Sequence, residues 1–239
     1  MLMKDQLLIK VITVKGNVER QKSVQKQMDA LSLKFDWVWA YDCDSISSQD
    51  LESVNTSKMP LPTISCALKH VQAERDLLDS DKDYLMVLED DVLIKEGFLD
   101  ILGYVIGELN SEIPKLIFLG GDGDKVYTPY IFSKGTFLID APMSTTECYL
   151  TNRPAARLRL DWLSKNLIEK GADHLFQDMD KQLGVLTFRL NKAFATQGSV
   201  TGEFDTLLDD SRGKHSKAYL KSRFAFTKFR RFMAAIFKN

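Results

Sequence analysis

The sequence predicts an α/β protein, a mostly parallel sheet flanked by helices, followed by a basic, amphipathic C-terminal segment. Three observations carry that expectation. Strand-like and helix-like segments alternate from Leu7 to Leu119, the pattern of successive βαβ units. The run Tyr84-Leu85-Met86-Val87-Leu88 is apolar throughout, as a strand buried on both faces must be, and it runs straight into Glu89, Asp90 and Asp91. Nine basic residues (Arg212, Lys214, Lys217, Lys221, Arg223, Lys228, Arg230, Arg231 and Lys238) crowd a closing stretch that has no Asp or Glu. The net charge of −1 therefore divides into a body at −10 and a tail at +9.

Each element follows from local pattern. Leu7 to Val14 is β-rich and apolar, a buried first strand and not a cleaved leader, because no small-residue cleavage site follows it. Asn17 is placed to cap a helix from Val18 to Leu31 that aligns Val24, Met28 and Leu31. Phe35 to Ala40 alternates as a strand, and Tyr41 to Lys58 reads as a polar loop. Pro60 and Pro62 precede a helix from about Thr63 to Leu78. After the acidic strand come a helix near Glu96–Leu109 and a strand Lys115–Leu119 ending at Gly120-Gly121. A hairpin is expected around Lys134-Gly135, with arms Val126–Phe132 and Thr136–Asp140. Glu147–Leu150 is a short strand, and Arg153–Lys170 a helix that turns Leu158, Trp162 and Leu163 inward. Gly171 ends it, Asp173 and His174 open the next helix, and Val185–Leu190 closes the regular part.

With 239 residues, 44% of them hydrophobic, the chain can bury one substantial core, so one domain (1–211) plus a basic segment (212–239) is the expected division. No run of 18 apolar residues argues for a membrane span. Cys43, Cys66 and Cys148 are an odd number without CxxC or paired Cys/His spacing. That pattern speaks against a disulfide framework or a zinc module and for a reducing, cytoplasmic setting.

The acidic strand end is the chief candidate site. Ligands of open α/β sheets bind at the C-terminal strand edge. Three adjoining carboxylates there are costly unless a cation or hydrogen-bonding partners offset them. A divalent metal carrying a phosphate meets that need, and a solvated acidic turn is the plain alternative. The Gly120-Gly121-Asp122-Gly123-Asp124 segment fits neither GxxxxGK[ST] nor GxGxxG and reads as a tight turn, with Asp122 and Asp124 at the same sheet edge as candidates to line the cleft. His70 is a packing residue or a ligand. Asp173 is a helix cap or a functional carboxylate. No GxSxG marks a nucleophilic serine.

Several of these pieces occur in one order: Val11-Ile12-Thr13-Val14, then Asn17-Val18-Glu19-Arg20-Gln21, Tyr41-Asp42, Ser65-Cys66-Ala67-Leu68-Lys69-His70 and Leu88-Glu89-Asp90-Asp91-Val92. Glu147-Cys148-Tyr149-Leu150, Ala172-Asp173 and Gln197-Gly198-Ser199 follow. From residue 7 to about 200 the chain resembles glycosyltransferase family 25, the bacterial lipopolysaccharide and lipooligosaccharide glycosyltransferases, many of them β-galactosyltransferases. Ser65 and Lys69 stand where the family usually has Gly and Ser. The resemblance implies an A-type nucleotide-sugar glycosyltransferase fold and inversion at the anomeric carbon. It implies Mn²⁺ or Mg²⁺ bridging the diphosphate of a UDP-sugar, with Asp91 as the leading metal ligand and Glu89 as the alternative. Thr13, Val14, Lys15, Arg20 and Asp42 would surround the uridine and ribose, with His70 and Asp90 in the same donor-binding set. Asp173, with His174 beside it, is the motif-matched candidate for the base that deprotonates the acceptor hydroxyl.

In the tail, Phe226, Phe229, Met233, Ile236 and Phe237 recur at helical spacing among basic residues, a composition suited to an anionic membrane surface. A nucleic-acid partner is disfavoured because the acidic body would repel the phosphate backbone. The expected function is transfer of a hexose, galactose by resemblance, to a lipid-linked saccharide on the inner face of the cytoplasmic membrane. The alternatives are a nucleotidyltransferase, whose basic Gly-rich N-terminal loop Lys15-Gly16-Asn17 hardly supplies, and a non-catalytic, membrane-associated scaffold with a degenerate transferase fold.

Overall fold

The computed structural model describes residues 4–110, 112–121, 135–142, 145–205 and 216–238. In chain order the elements are β1 (Leu7–Ile12), α1 (Val18–Ala30), β2 (Asp36–Val38), α2 (Ser48–Leu51), α3 (Leu61–Asp79), β3 (Tyr84–Glu89), β4 (Val92–Ile94), α4 (Phe98–Leu109), β5 (Lys115–Phe118), β6 (Leu138–Asp140), β7 (Cys148–Asn152), α5 (Arg153–Leu163), α6 (Ala172–Leu183), β8 (Leu186–Leu190), β9 (Ala195–Gln197), α7 (Gly198–Thr201) and α8 (Lys217–Lys238).

Seven strands form one sheet in the order β2-β1-β3-β7-β5-β8-β6. Its pairings run β2, β1, β3, β5 and β8 in one direction, while β7 and β6 oppose them. This is the mostly parallel, helix-flanked sheet that the alternating sequence predicts. Side chains on alternate faces of β3 explain its unbroken apolar run. Tyr84, Met86 and Leu88 enter a core with Val24 and Met28 of α1 and with α4. Leu85 and Val87 enter a second core with α3, α5 and α6. Both faces of the strand are therefore dry.

The chain leaves β1 for β2 on one side and returns for β3 on the other, so the strand order reverses beside β1. In that register Ile12 lies opposite Glu89. The C-terminal ends of β1 and β3 thus open on the same crevice, where open α/β sheets bind ligands.

Several local expectations are corrected. Asn17 occupies the cap position of α1, but its side chain makes no cap hydrogen bond and reaches Asp90 instead. Helix α5 stops at Leu163, seven residues short of the expected end, and Leu158, Trp162 and Leu163 are only half-buried. Its inward positions are Ala155, Ala156 and Arg159, since two buried carboxylates from neighbouring helices receive the guanidinium. The short strand expected around Cys148 is β7, which lies at the centre of the sheet between β3 and β5. Of the expected hairpin, the first arm lies outside the described residues. The second arm contains β6, which pairs with β8 at the far edge. Strands β4 and β9 form a separate two-stranded ribbon, and the polar loop contains the short α2, capped reciprocally by Ser47 and Asp50. Each of these segments is only three or four residues long, too short for periodicity to register.

Candidate active site

Glu89 closes β3, and Asp90 and Asp91 follow in the turn to β4. The three carboxylates face three different sets of partners. Asp90 points to the β1–α1 side: its Oδ2 accepts from Thr13 Oγ1 at 2.8 Å and Asn17 Nδ2 at 3.2 Å, and its Oδ1 from Arg20 Nη1 at 2.9 Å. The Arg20 guanidinium also donates to the Asp205 carbonyl and lies 5.7 Å from the Phe204 ring centroid. Glu89 accepts from Thr146 Oγ1 and, at 3.3 Å, from Gln197 Nε2. Asp91 Oδ2 accepts from the Ser199 amide at 3.3 Å, whereas its Oδ1 is buried with no partner.

Electrostatics separate Glu89 from Asp91. Burial opposes ionisation of Glu89, but His70, Thr146 and Arg20 together hold its carboxyl below the usual range. Asp91 is 2% exposed, and burial, followed by the Glu89 charge, pushes its carboxyl up to about 6. A buried oxygen without a hydrogen bond on a carboxylate that resists ionisation is a position a cation would relieve. The oxygen donors of this edge also suit a hard divalent ion. The residues present fit the metal that the family resemblance implies.

The Gln197-Gly198-Ser199 segment grips this acidic edge. Gln197 binds Glu89, the Gly198 amide donates to the Asp91 carbonyl at 2.7 Å, and the Ser199 amide reaches the Asp91 side chain. A Cβ on Gly198 would lie 2.8 Å from the Asp91 carbonyl oxygen and 2.5 Å from Phe204, so only glycine permits the approach.

Helix α3 supplies the opposite wall. Lys69, 1% exposed, donates from Nζ to the Thr13 carbonyl at 2.6 Å and pairs with Asp42 Oδ1; Asp42 Oδ2 accepts from the Lys15 amide at 3.0 Å. The ends of β1 and β2 are thereby tied to α3. The resulting pocket, about 240 Å³, is lined by Thr13, Val14, Arg20, Glu89, Asp90 and Asp91 among the expected residues, together with Cys43, Ser65, Cys66, Lys69, Gln197 and Ser199.

The structure thus gathers Thr13, Val14, Arg20, Glu89, Asp90 and Asp91 into one cleft. Lys15 is exposed at its rim, while Asp42 is buried behind it with both oxygens occupied. His70 does not line the pocket; it lies beneath the floor, fully buried. Asp173 is half-buried at the start of α6, outside the pocket lining; the Cys66 thiol is pushed up by burial first, and then by the charges of Glu89 and Asp173. His174 is exposed. Asp173 is not the cap of α6: Gly171 holds that position without a side-chain cap bond, and Asp173, one residue inside the helix, accepts at Oδ1 from the His174 amide at 2.8 Å.

Sequence reasoning passed over Cys66 and Lys69 as pocket-lining groups and Glu147 as a buried acid. Glu147 is 1% exposed, and burial pushes its carboxyl up to about 7; its carbonyl accepts from the Glu89 amide. The Gly120-Gly121 turn exists to receive it. A Cβ on Gly120 would overlap Glu147 Oε1 at 2.1 Å, and the Gly121 amide donates to that oxygen at 2.7 Å. Asp122 and Asp124 lie outside the described residues. A larger cavity of about 520 Å³ opens near Asp83, Glu112, Arg153 and Arg157, and it holds none of the expected site residues.

A mostly parallel sheet whose strand order reverses beside an acidic, polar-gripped crevice is the arrangement in which open α/β proteins bind their ligands. The family model for glycosyltransferase family 25 (LPS biosynthesis protein) matches residues 7–157, more than half of the chain, and the chain belongs to that family. No curated protein matches it. Similar solved structures include a glycosyltransferase involved in the glycosylation of the major capsid of PBCV-1, at 8% identity and a TM-score of 0.44 over 92% of this chain and 99% of that one. A197 from STIV aligns at 11% identity and a TM-score of 0.42, covering 80% of this chain and 83% of the other. Mouse xyloside xylosyltransferase 1 in its apo form aligns at 11% and 0.42, covering 77% and 71%.

Proposed function

We propose that the protein is an inverting, metal-dependent hexosyltransferase that moves a sugar, galactose in the first instance, from a UDP-sugar to a lipid-linked saccharide acceptor. The observation that carries this reading is the buried, unpartnered Asp91 Oδ1 at the switch-point edge of a family 25 chain. Asp91, with Glu89 beside it, would hold Mn²⁺ or Mg²⁺; when bound, such an ion offsets the charge that develops on the departing diphosphate. Thr13, Val14 and Lys15 border the nucleotide. Arg20, fixed by Asp90, brings positive charge to the same wall. Asp42, locked by Lys69, sets the shape of the β2 end and leaves recognition there to backbone groups. Asp173 takes the proton of the acceptor hydroxyl, the role its half-buried position near Cys66 suits, and His174 marks the solvent side.

Calorimetric titration with UDP, UDP-galactose and UDP-glucose tests this, first with Mn²⁺ and then with EDTA. Binding of one sugar nucleotide that requires the metal is the expected result. Absence of binding under both conditions would transfer the weight to the non-catalytic scaffold.

The C-terminal segment, residues 212–239, serves in this reading as a membrane address. Among the described residues no helix is long and apolar enough to cross a membrane. Helix α8 instead has two faces. Leu220 and Arg231, three turns apart, are buried, and its first turn closes on Gly202. Phe226 and Phe229, 66% and 60% exposed, share the outer face with Ile236, and Phe232 beside them is also exposed. Exposed Arg223 and Arg230 flank that stripe on one side, Lys221 and Lys228 on the other. Aromatic rings between basic rows suit an anionic lipid surface, where each basic residue contributes on the order of 1 kcal/mol. The protein would then work peripherally on the cytoplasmic face of the membrane, beside a lipid-linked acceptor. Phe226→Ser combined with Phe229→Ser should weaken sedimentation with anionic vesicles by about 100-fold, since each buried ring contributes roughly 1.5–3 kcal/mol. Transfer to a soluble acceptor should persist. Unchanged sedimentation would remove the helix as anchor.

A further inference from the structure

We propose that Cys66, His70 and Glu89 form a binding site for a thiophilic divalent cation of the Zn²⁺ class, distinct from the hard-cation position at Asp91. The three ligand atoms lie within 4.8 Å of one another. Cys66 and His70 are one turn apart on α3, the i, i+4 spacing that sets two side chains on one helix face. Glu89 arrives from the end of β3.

His70 is the observation that turns a cluster into a site. Its ring is fully buried, yet Nε2 makes no hydrogen bond; it faces Glu89 Oε1 across an ion-pair contact of 3.5 Å. The other ring nitrogen, Nδ1, is 3.1 Å from the Tyr149 hydroxyl, and the ring packs between Tyr149 and Phe176. That is how proteins aim a metal-binding histidine: one nitrogen fixed by an outer partner, the other left to face the ion. Glu89 is steadied in the same manner by Thr146 and Gln197.

Ligand chemistry selects the ion. Thiolate and imidazole donors favour Zn²⁺ and its neighbours over Mg²⁺ or Ca²⁺, which prefer oxygen alone. Three protein ligands leave the fourth tetrahedral position open, as in zinc sites that exchange water or substrate. Here Cys66 and Glu89 both line the pocket, so that open position faces the cleft. Binding displaces the Cys66 thiol proton to solvent and replaces the S–H bond by S–metal coordination. The inference rests on this geometry and not on the transferase reading, although Glu89 belongs to both.

Cobalt(II) titration of the reduced protein provides the test, because thiolate coordination produces a near-ultraviolet charge-transfer band that oxygen ligands cannot give. The expected result is a band that saturates at one equivalent and is bleached by Zn²⁺. It should vanish in Cys66→Ser and persist in Cys43→Ser and in Asp91→Asn. Tyr149→Phe, which releases His70 Nδ1, should raise the half-saturating cobalt concentration about 10-fold. Should the serine variant fail to fold, Cys66→Ala answers the same question. A wild-type protein without the band, or a band that survives loss of Cys66, overturns the site. Because Asp91→Asn keeps the signal, failure here is separable from failure of the hard-cation reading.

Discussion

Asp91→Asn is expected to stabilise the metal-free protein above pH 7 while removing metal-dependent nucleotide binding. The Asp91 carboxyl rises from 3.8 to about 6 on folding, because burial and the Glu89 charge disfavour its ionised form. A raised pKa contributes stability that is fully present below pH 3.8 and lost as pH climbs through about 6. Above that point the native state carries a buried charge at a cost of about 3 kcal/mol. Asparagine keeps the size and the Ser199 contact but has no charge to bury. Melting of the metal-free variant at pH 8 should therefore exceed wild type by several degrees, on a scale of about 2–4 °C per kcal/mol. The advantage should shrink as pH falls below about 6. Mn²⁺ should raise the melting temperature of wild type and leave the variant unmoved. Transfer should drop by about two orders of magnitude or more, the scale of a cation's several kcal/mol at the departing phosphate. A variant that gains no stability at pH 8 would show that the Asp91 charge costs nothing to bury, and one that retains Mn²⁺-dependent UDP affinity would show that Asp91 is not a ligand.

The second large effect lies away from the pocket. Arg159 is fully buried between α5, α3 and α6. Its Nε and Nη2 donate to the two oxygens of Asp180 at 2.7 and 2.9 Å, and Nη1 donates to Glu74 Oε1 at 2.7 Å and Thr151 Oγ1 at 3.1 Å. The guanidinium also lies 4.9 Å from the Phe176 ring centroid, and Phe176 packs edge-on against His70 under the pocket floor. Burial alone would lower the pKa of Arg159, but Asp180 and Glu74 more than offset it and raise it. Burial still pushes Glu74 above the usual carboxylate range. Arg159→Met leaves two buried acids without a cation, which should cost about 3–5 kcal/mol, measured by urea unfolding. Arg159→Lys should recover only part, since a lysine cannot make the bidentate fork. Combining Arg159→Met with Glu74→Gln and Asp180→Asn should restore most of the loss by removing the stranded charges. A loss below about 1 kcal/mol for Arg159→Met would mean that the three charges are solvated and not a buried network.

The parallel core was legible because its signals are local. The apolar run of β3, the β-branched run of β1 and the helix starts expected at Val18 and near Thr63 (the latter begins at Leu61) each lie within a dozen residues. The acidic end of β3 was legible for the same reason, and Thr13, Arg20 and Asp90 do meet in the cleft, through bonds of 2.8 and 2.9 Å. Arg159 gave no signal in the sequence, because charge on a helix ordinarily means solvent. Only partners 85 residues earlier and 21 later make its burial tolerable. Lys69 was singled out as a departure from the family run, but its partners, Asp42 and the Thr13 carbonyl, belong to two other strand ends. The Cys66–His70 pair carried no zinc signature because its third member comes from another element.

The sequence by itself determined the principal strands and helices of the core and that three carboxylates terminate a buried strand, since periodicity and propensity act over a few residues. Only the tertiary structure decided what each carboxylate does. Asp90 is spent on Arg20 and Thr13, Glu89 turns toward His70, and Asp91 keeps a buried oxygen without a partner. Adjacent residues leaving a strand point in different directions, and the groups that meet them come from α1, α3 and the Gln197–Ser199 segment. Those meetings are fixed by packing across the whole chain, and spacing along it does not encode them.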